Sequence, residues 1–276
     1  MPSLACRILV NGQPEGAIDP QDRGLTYGDG LFETIRFVDQ KAPLWPRHMR
    51  RLQDSCARLR LPCPEPECLW QEAQAVLHGL PQAIVRMTIT RGVGERGYAL
   101  PATARPTRIV AAFPMPALSV DVYRHGLRMR LCETRLSMQP QLAGIKHLNR
   151  LEQVLARAEW SDPAIAEGLL CDGDGRVVSA IMANLFAVID GALVTPALER
   201  CGVSGVARAE VLAIREVQVR DLSLSELWQA SELFLSSSVR GMLPVRALDD
   251  KTFLPGPVAH AMQQHWHALG FPMELA

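Results

Sequence analysis

The stretch Gln141-Leu-Ala-Gly-Ile-Lys146-His-Leu-Asn-Arg150 holds one of only three lysines in a chain of 276 residues that has 29 lysines and arginines together. Arginine is enough for a solvated charge, and this chain almost always uses it, whereas lysine offers an amine that can lose its proton and attack a carbonyl carbon. Burial against the apolar neighbours Leu142 and Ile145 would favour that neutral, nucleophilic form. Lys146 is therefore the candidate Schiff-base lysine. The alternative is a chance lysine at the start of a helix.

Composition narrows the class of protein. The formal net charge is 0, so the sequence shows no basic face for nucleic acid, and apolar runs such as Ile109–Phe113 are too short to cross a membrane. No charged-then-apolar signal segment opens the chain, and its seven cysteines are odd in number and scattered. Because no cysteine or histidine spacing fits a metal site, we expect no metal and reduced thiols in a cytoplasmic protein.

The first part of the chain predicts a small mixed domain, residues 1–113. Three segments have strand-like composition: Leu31–Val38, Ile84–Thr90 and Arg108–Phe113. Between the first two, Met49, Leu52, Cys56 and Leu59 recur at the spacing of a packed helix. Pro114 and Pro116 then disfavour both helix and strand, so we expect an interdomain linker over residues 114–122.

The remainder, residues 123–276, predicts a larger, strand-rich domain. A helix is expected after Lys146, with Leu148, Leu151 and Leu155 on one face. The other expected elements are a strand at Leu127–Leu131, hairpins turning at Asp172–Gly175 and Asp190–Gly191, a helix from Gly205 to about Val217, a strand at Glu232–Leu235 and a closing helix at Pro257–Leu269. Strands and helices intermix in both parts, so the fold class is α/β or α+β with two domains.

A lysine Schiff base with pyridoxal phosphate would require an anion site, and the sequence offers three candidates. Gly205-Val206-Ala207 precedes a helix, where backbone N–H groups can point at a phosphate. Ser236-Ser237-Ser238 supplies hydroxyl donors at the end of a strand. Arg51, one helical turn from His48, could add a charge-assisted hydrogen bond.

These pieces together resemble the fold-type IV pyridoxal-phosphate enzymes, the family of branched-chain and D-amino-acid aminotransferases and aminodeoxychorismate lyases. The matching segments are Tyr27-Gly-Asp-Gly-Leu-Phe-Glu33, His48-Met-Arg-Arg51-Leu52, Lys146, Asn184-Leu-Phe186, Thr195-Pro196, Ser204-Gly-Val-Ala-Arg208, Glu232-Leu-Phe-Leu-Ser-Ser-Ser238 and Pro244-Val245. They occur in the family's order and span nearly the whole chain. The resemblance implies the cofactor pyridoxal 5'-phosphate, a small-molecule substrate and a homodimer.

Two segments, Leu142–Leu155 and Thr90–Tyr98, look most similar to the lyase branch of the family. That branch converts 4-amino-4-deoxychorismate to 4-aminobenzoate and pyruvate, a step of folate synthesis. Two alternatives remain open: a transaminase of the same fold acting on D- or branched-chain amino acids, and a homologue without catalysis.

The resemblance also implies a role for individual residues. Lys146 would form the covalent bond to the cofactor and move protons, and Thr34 and Tyr27 would border the active site. Arg96 would meet a substrate carboxylate with Tyr98 beside it. The phosphate would be held by Arg51, Val206, Ala207, Ser237 and Ser238.

Ser179 marks one departure from the family pattern. The family has a glutamate five residues before the asparagine of Asn184-Leu-Phe186, bonded to the pyridine nitrogen of the cofactor. A carboxylate would keep that nitrogen protonated, whereas the Ser179 hydroxyl can only form a hydrogen bond. Since elimination that creates an aromatic ring demands less of the cofactor than transamination, Ser179 favours the lyase. A local shift in register, or reduced activity, is the other interpretation.

Overall fold

The computed structural model describes residues 7–116 and 119–272, and the chain divides into two compact units. One unit contains the described residues up to Pro116 together with Ile145–Asn149; the other contains residues 119–144 and 150–272. The predicted boundaries had assigned Ile145–Asn149 to the second domain. Cys6 and residues 117–118 of the predicted linker lie outside the described residues.

The first unit is built on an antiparallel four-stranded sheet. Its elements are β1 (Arg7–Val10), α1 (Arg23–Tyr27), β2 (Gly30–Val38), α2 (Trp45–Leu59), α3 (Pro66–Leu77), β3 (Gln82–Thr90) and β4 (Thr107–Pro114). The strands lie in the order β1-β4-β3-β2, so β2 is an edge strand. Helix α2 buries Met49, Leu52 and Cys56, which confirms the helical stripe predicted there. The helix ends at Arg60, whose left-handed φ of 51° lets its N–H bond back to the last turn.

The second unit is dominated by a mixed sheet. Its elements are α4 (Val120–His125), β5 (Leu127–Leu136), α5 (Leu151–Arg157), β6 (Glu167–Asp172), β7 (Val177–Ala180), β8 (Asn184–Ile189), β9 (Ala192–Pro196), α6 (Val206–Ile214), β10 (Gln218–Arg220), α7 (Leu224–Leu227), β11 (Glu232–Ser237), β12 (Gly241–Leu248), β13 (Lys251–Thr252) and α8 (Pro257–Ala268). Within the described residues the sheet has nine strands, in the order β10-β9-β8-β11-β12-β5-β6-β7 with β13 on β12. The predicted α/β class with a strand-rich second part is confirmed.

The segment Ile145–Asn149 is extended rather than helical. The N–H of Phe32 donates to the carbonyl of Lys146 at 3.0 Å, and the N–H of Leu148 donates to the carbonyl of Gly30 at 3.0 Å. The segment therefore lies alongside the edge strand β2. Since these backbone groups are bonded to the sheet, they cannot form the first turn of a helix.

The helix expected directly after Lys146 is therefore shorter than predicted. Helix α5 begins only at Leu151, so Leu148 is not part of it. Leu151 and Leu155 do share a face, but they are 75% and 61% exposed, and Val154 beside them is 60% exposed. The predicted face is thus correct for Leu151 and Leu155 and wrong for Leu148, and this face of α5 is exposed within the chain.

Two other boundaries differ from the prediction. Strand β4 ends at Pro114 and Ser119 caps α4, its hydroxyl accepting a hydrogen bond from the Asp121 N–H at 3.2 Å. The last three residues of the predicted linker are thus helical. Helix α6 ends at Ile214 instead of Val217, because the chain then pairs as β10 with β9. No helix in the described part of the chain is long and apolar enough to span a membrane.

Candidate active site

Lys146 lies over an aromatic ring of the first unit. Its Nζ is 4.2 Å from the centre of the Phe32 ring, a distance at which an ammonium group is attracted to the ring face. Lys146 is half-buried, and its neighbour Ile145 is fully buried in the core of the same unit. The backbone pairing with β2 fixes where the lysine side chain starts, and Phe32 supports its end.

Glu33, the residue after Phe32, is the centre of a buried polar cluster. Its carboxylate accepts hydrogen bonds from the Arg51 Nε at 2.8 Å and from the His48 Nδ1 at 2.7 Å. A second nitrogen of Arg51 also donates to Glu33. The side chains of Glu33 and His48 are only 2% and 1% exposed, and that of Arg51 is 12% exposed. This arrangement holds the guanidinium of Arg51, a predicted phosphate-binding residue, in one orientation.

The surroundings of Glu33 and His48 determine their protonation states. Burial alone would raise the pKa of Glu33, but the charge of Arg51 and the hydrogen bond from His48 outweigh it and lower that pKa to about 2. Burial lowers the pKa of His48 below its usual 6.5, with Glu33 opposing the change. At neutral pH His48 is therefore uncharged. Since ionised Glu33 can only accept, His48 carries its proton on Nδ1 and its Nε2 is an acceptor.

The substrate-binding residues predicted in the first unit lie in and beside one loop. The Tyr27 hydroxyl accepts a hydrogen bond from the Gly97 N–H at 3.1 Å, and the rings of Tyr27 and Tyr98 are 5.4 Å apart. Arg96 is exposed and Tyr98 is 86% exposed. Thr34 is half-buried on β2 next to Glu33. The structure thus brings Tyr27, Arg96 and Tyr98 together around Gly97.

In the second unit, the start of α6 has the free backbone N–H groups that the sequence prediction requires of an anion site. Its N-cap is Gly205, a residue that has no side chain with which to cap the helix. Asn184 accepts from the Gly205 N–H at 3.0 Å and donates to the Val203 carbonyl at 2.9 Å, so it holds the turn before the helix. A Cβ at position 205 would lie 2.1 Å from the Asn184 Oδ1, which is why glycine stands there. The backbone N–H groups of Val206 and Ala207 follow, as the sequence predicted for a phosphate site.

The Ser236 hydroxyl lies on the same face of the sheet as Asn184, whereas Ser237, the next residue of β11, alternates to the other face. Ser236 is directly opposite Asn184 on the neighbouring strand, so their side chains point to one side. Ser236 is 2% exposed, and its Oγ has no hydrogen-bond partner within the described residues. The Ser237 Oγ accepts long hydrogen bonds from the N–H groups of Val239 and Arg240, at 3.4 and 3.3 Å, and retains its own proton for donation. A buried hydroxyl without a partner beside an uncapped helix start fits a phosphate group.

Ser179 is buried on β7, where it is paired with Leu170 of β6. It is 8% exposed, so a carboxylate introduced at this position would be taken largely out of water. The predicted site residues therefore fall into two groups: Lys146, Thr34, Arg51, Tyr27, Arg96 and Tyr98 in the first unit, and Ser179, Val206, Ala207, Ser237 and Ser238 in the second. Among described residues, no group of three or more His, Cys, Asp or Glu side chains could hold a metal ion.

A family model described as "Amino-transferase class IV" matches residues 30–248, which is most of the chain. The chain belongs to the class IV amino-transferase family. Within this family it is 35% identical over 244 residues to the aminodeoxychorismate lyase of Vibrio harveyi, covering 87% of this chain and 90% of that protein. This similarity and the family match agree with the resemblance read from the motifs.

Solved structures of family members agree in fold. The 4-amino-4-deoxychorismate lyase of Pseudomonas aeruginosa superposes with a TM-score of 0.90 at 45% identity, covering 95% of this chain and 98% of that one. The branched-chain amino acid aminotransferase of Escherichia coli superposes with a TM-score of 0.82 at 26% identity, covering 95% and 93%. The family members therefore include both lyases and aminotransferases, and one aminotransferase structure among them holds pyridoxamine 5'-phosphate.

Several polar residues of the site carry no role in the sequence prediction. Glu33, His48 and Asn184 stood inside the matched motifs, but their function depends on partners that only the fold brings near. The positions were visible in the sequence; the hydrogen bonds to Arg51, to Glu33 and to Gly205 were not.

We predict that Glu33→Gln destabilises the protein in a pH-dependent way. Removing one partner of a buried charge pair costs about 3 kcal/mol at neutral pH. Because the Glu33 pKa is lower in the folded protein, its contribution is complete above about pH 4.5 and disappears as the pH falls toward about 2. Denaturant unfolding should show a large difference in the free energy of unfolding between wild type and Glu33→Gln at pH 7. This difference should be smaller at pH 3. Glu15→Gln, at an exposed position, is the control. An equal difference in the free energy of unfolding at both pH values would contradict the lowered pKa of Glu33.

Proposed function

We propose that this enzyme is a pyridoxal-phosphate-dependent lyase that converts 4-amino-4-deoxychorismate to 4-aminobenzoate and pyruvate. The observation that carries the proposal is the 45% identity over nearly the full length with the Pseudomonas aeruginosa lyase. An amino-acid transaminase is the nearest alternative, since aminotransferases of the family share the fold.

The residues present fit the cofactor. The uncapped start of α6 and the partnerless Ser236 hydroxyl match a phosphate group. We assign the phosphate to the N–H groups of Val206 and Ala207, to the Ser237 and Ser238 region, and to Arg51. Ser179 is assigned to the ring nitrogen. When bound, pyridoxal phosphate supplies an electron sink next to the carbon that carries the substrate amine.

Lys146 is assigned three tasks in this reaction. Its Nζ would hold the cofactor covalently between turnovers and would be a free amine while the substrate is bound. The freed Nζ then removes the proton from the amine-bearing ring carbon, and expulsion of the enolpyruvyl group makes the ring aromatic. Nζ would hold the cofactor again once 4-aminobenzoate has left the site. Neutral His48 and ionised Glu33 keep Arg51 oriented and add no competing base that is exposed to the substrate.

The first experiment supplies 4-amino-4-deoxychorismate without any keto acid and follows both products. Equal, catalytic amounts of pyruvate and 4-aminobenzoate are expected from wild type, and none from Lys146→Ala. A wild-type enzyme that gives no product unless a keto acid is present would replace the lyase with the transaminase. Substantial turnover by Lys146→Ala would remove Lys146 from its assigned role.

We predict that Ser179→Glu increases transamination relative to lysis. A glutamate here would keep the ring nitrogen of the cofactor protonated and so strengthen the electron sink on which transamination depends. The measurement is the ratio of amino-group transfer to pyruvate release, with the cofactor absorption spectrum recorded for both proteins. An unchanged ratio and spectrum would rule out the role given to Ser179, and Ser179→Ala controls for the loss of the hydroxyl.

A homodimer is part of the proposal. Leu151, Val154 and Leu155 form an exposed apolar face on α5, at the i, i+3, i+4 spacing of a packed helix. An exposed face of this kind supports burial against a second copy. We expect sedimentation to show a wild-type dimer that Leu155→Glu weakens, whereas Leu254→Glu, at a 79% exposed site, leaves it intact. A monomeric wild type, or equal behaviour of both variants, would contradict the assignment.

The proposed setting is the cytoplasm, with the product used for folate synthesis. The described cysteines are all free, four of them buried, which is typical of proteins from a reducing compartment.

A further inference from the structure

The loop that carries Arg96 and Tyr98 is held at the residue between them. The Arg23 Nη1 donates to the Gly97 carbonyl at 3.0 Å, and the Gly97 N–H donates to the Tyr27 hydroxyl at 3.1 Å. Both backbone groups of Gly97 are thus bonded to side chains of α1. Gly97 has a φ of 110°, a backbone conformation that residues other than glycine rarely adopt. The loop therefore presents both the N–H and the carbonyl of Gly97 to α1.

Arg23 is itself fixed by buried ionic contacts. Its Nε donates to the Asp29 Oδ2 at 2.9 Å, and Arg91 donates to the same carboxylate at 2.7 and 3.0 Å. Burial would raise the pKa of Asp29, but Arg91 and Arg23 outweigh it and lower that pKa, so Asp29 stays ionised. Arg23 is only 4% exposed, and its guanidinium lies 4.9 Å from the centre of the Tyr27 ring.

Backbone hydrogen bonds also join the loop to the segment that contains Arg23 and Asp29. The Arg23 N–H donates to the Gly92 carbonyl at 2.9 Å, and the Arg91 N–H donates to the Asp29 carbonyl at 3.0 Å. A Cβ at Gly94 would lie 2.8 Å from the Arg23 Cδ, so the loop passes close against the arginine side chain. The loop is therefore attached to α1 before it reaches Arg96.

We propose that Arg23 and Tyr27 are positioning residues that hold Arg96–Tyr98 ready to bind a substrate carboxylate. The inference rests on the proposed function, in which Arg96 meets one of the two carboxylates of 4-amino-4-deoxychorismate. Arg96 and Tyr98 are exposed and would otherwise be free to sample many conformations. Because Gly97 is already held in place, the loop loses less conformational entropy when the substrate binds.

Two conservative variants test this contact. Arg23→Lys keeps a positive charge near Asp29 but cannot reach both Asp29 and the Gly97 carbonyl, because a lysine lacks the guanidinium fork. Tyr27→Phe keeps the ring and loses only the hydroxyl acceptor of the Gly97 N–H. The control is Arg36→Gln, because Arg36 is equally buried at 4% exposure in the same unit and bonds to Gln82 instead of the loop.

The kinetic result separates positioning from catalysis. Loss of one such hydrogen bond is expected to raise KM for 4-amino-4-deoxychorismate about tenfold in either variant. We expect the kcat of Arg23→Lys, which changes no predicted site residue, to stay within about twofold, because Lys146 is unchanged. The cofactor spectrum and the cofactor affinity should match wild type. An unchanged KM in both variants, or a loss confined to kcat, would overturn the proposal.

A second measurement reports the loop without turnover. Trypsin cuts after Arg96, at the peptide bond of Gly97, and cleavage requires the loop to detach. Native-state digestion followed by mass spectrometry should show cleavage at this bond about tenfold faster in Arg23→Lys and Tyr27→Phe, with Arg36→Gln unchanged, because about one hydrogen bond is lost. Equal cleavage rates for wild type and all three variants would overturn the proposal that Arg23 and Tyr27 hold the loop.

The two measurements separate the possible failures. A wild type without lyase turnover refutes the proposed function, while digestion still decides whether Arg23 and Tyr27 hold the loop. Faster cleavage with an unchanged KM in an active enzyme would show that the loop does not bind the substrate, and it would overturn the positioning role.

Discussion

The pairing of Ile145–Asn149 with the edge strand β2 is the constraint on which the candidate site depends. Two backbone hydrogen bonds of 3.0 Å set the register of Lys146 against the strand that carries Phe32 and Glu33. Because those bonds occupy the backbone, the following helix starts only at Leu151. A lysine placed in this way starts from a rigid backbone, which suits a nucleophile that must reach the same atom in every turnover.

The several N–H donors of the guanidinium group explain why arginines pair with the carboxylates in and next to this strand. Glu33 is a buried carboxylate and Asp29 a partly buried one. Each is neutralised by arginine bonds: Arg51 for Glu33, Arg23 and Arg91 for Asp29. A guanidinium can bond a carboxylate and still contact a second group, as Arg23 does with Gly97. Arginine thus meets a geometric requirement at these two carboxylates, whereas the amine of Lys146 meets a chemical one.

The sequence predicted what local pattern controls. The helical stripe of α2, the glycine turns and the Gly205 helix start follow from residue spacing and backbone preference. The extended Lys146 segment was not predicted, because Leu148, Leu151 and Leu155 fit helical spacing and the competing bonds come from β2, over a hundred residues away. Glu33 and His48 lie 15 residues apart in sequence, and the contact that gives them a role exists only once α2 packs on β2.

The most direct test of the account locates the covalent bond to the cofactor. The protein is incubated with pyridoxal 5'-phosphate, reduced with borohydride, digested and mapped by mass spectrometry. The three lysines of the chain provide internal controls, since Lys41 and Lys251 are exposed. The account predicts one label per chain, on Lys146. A label shared among the lysines, or found on Lys41 or Lys251 with Lys146 unmodified, would contradict it.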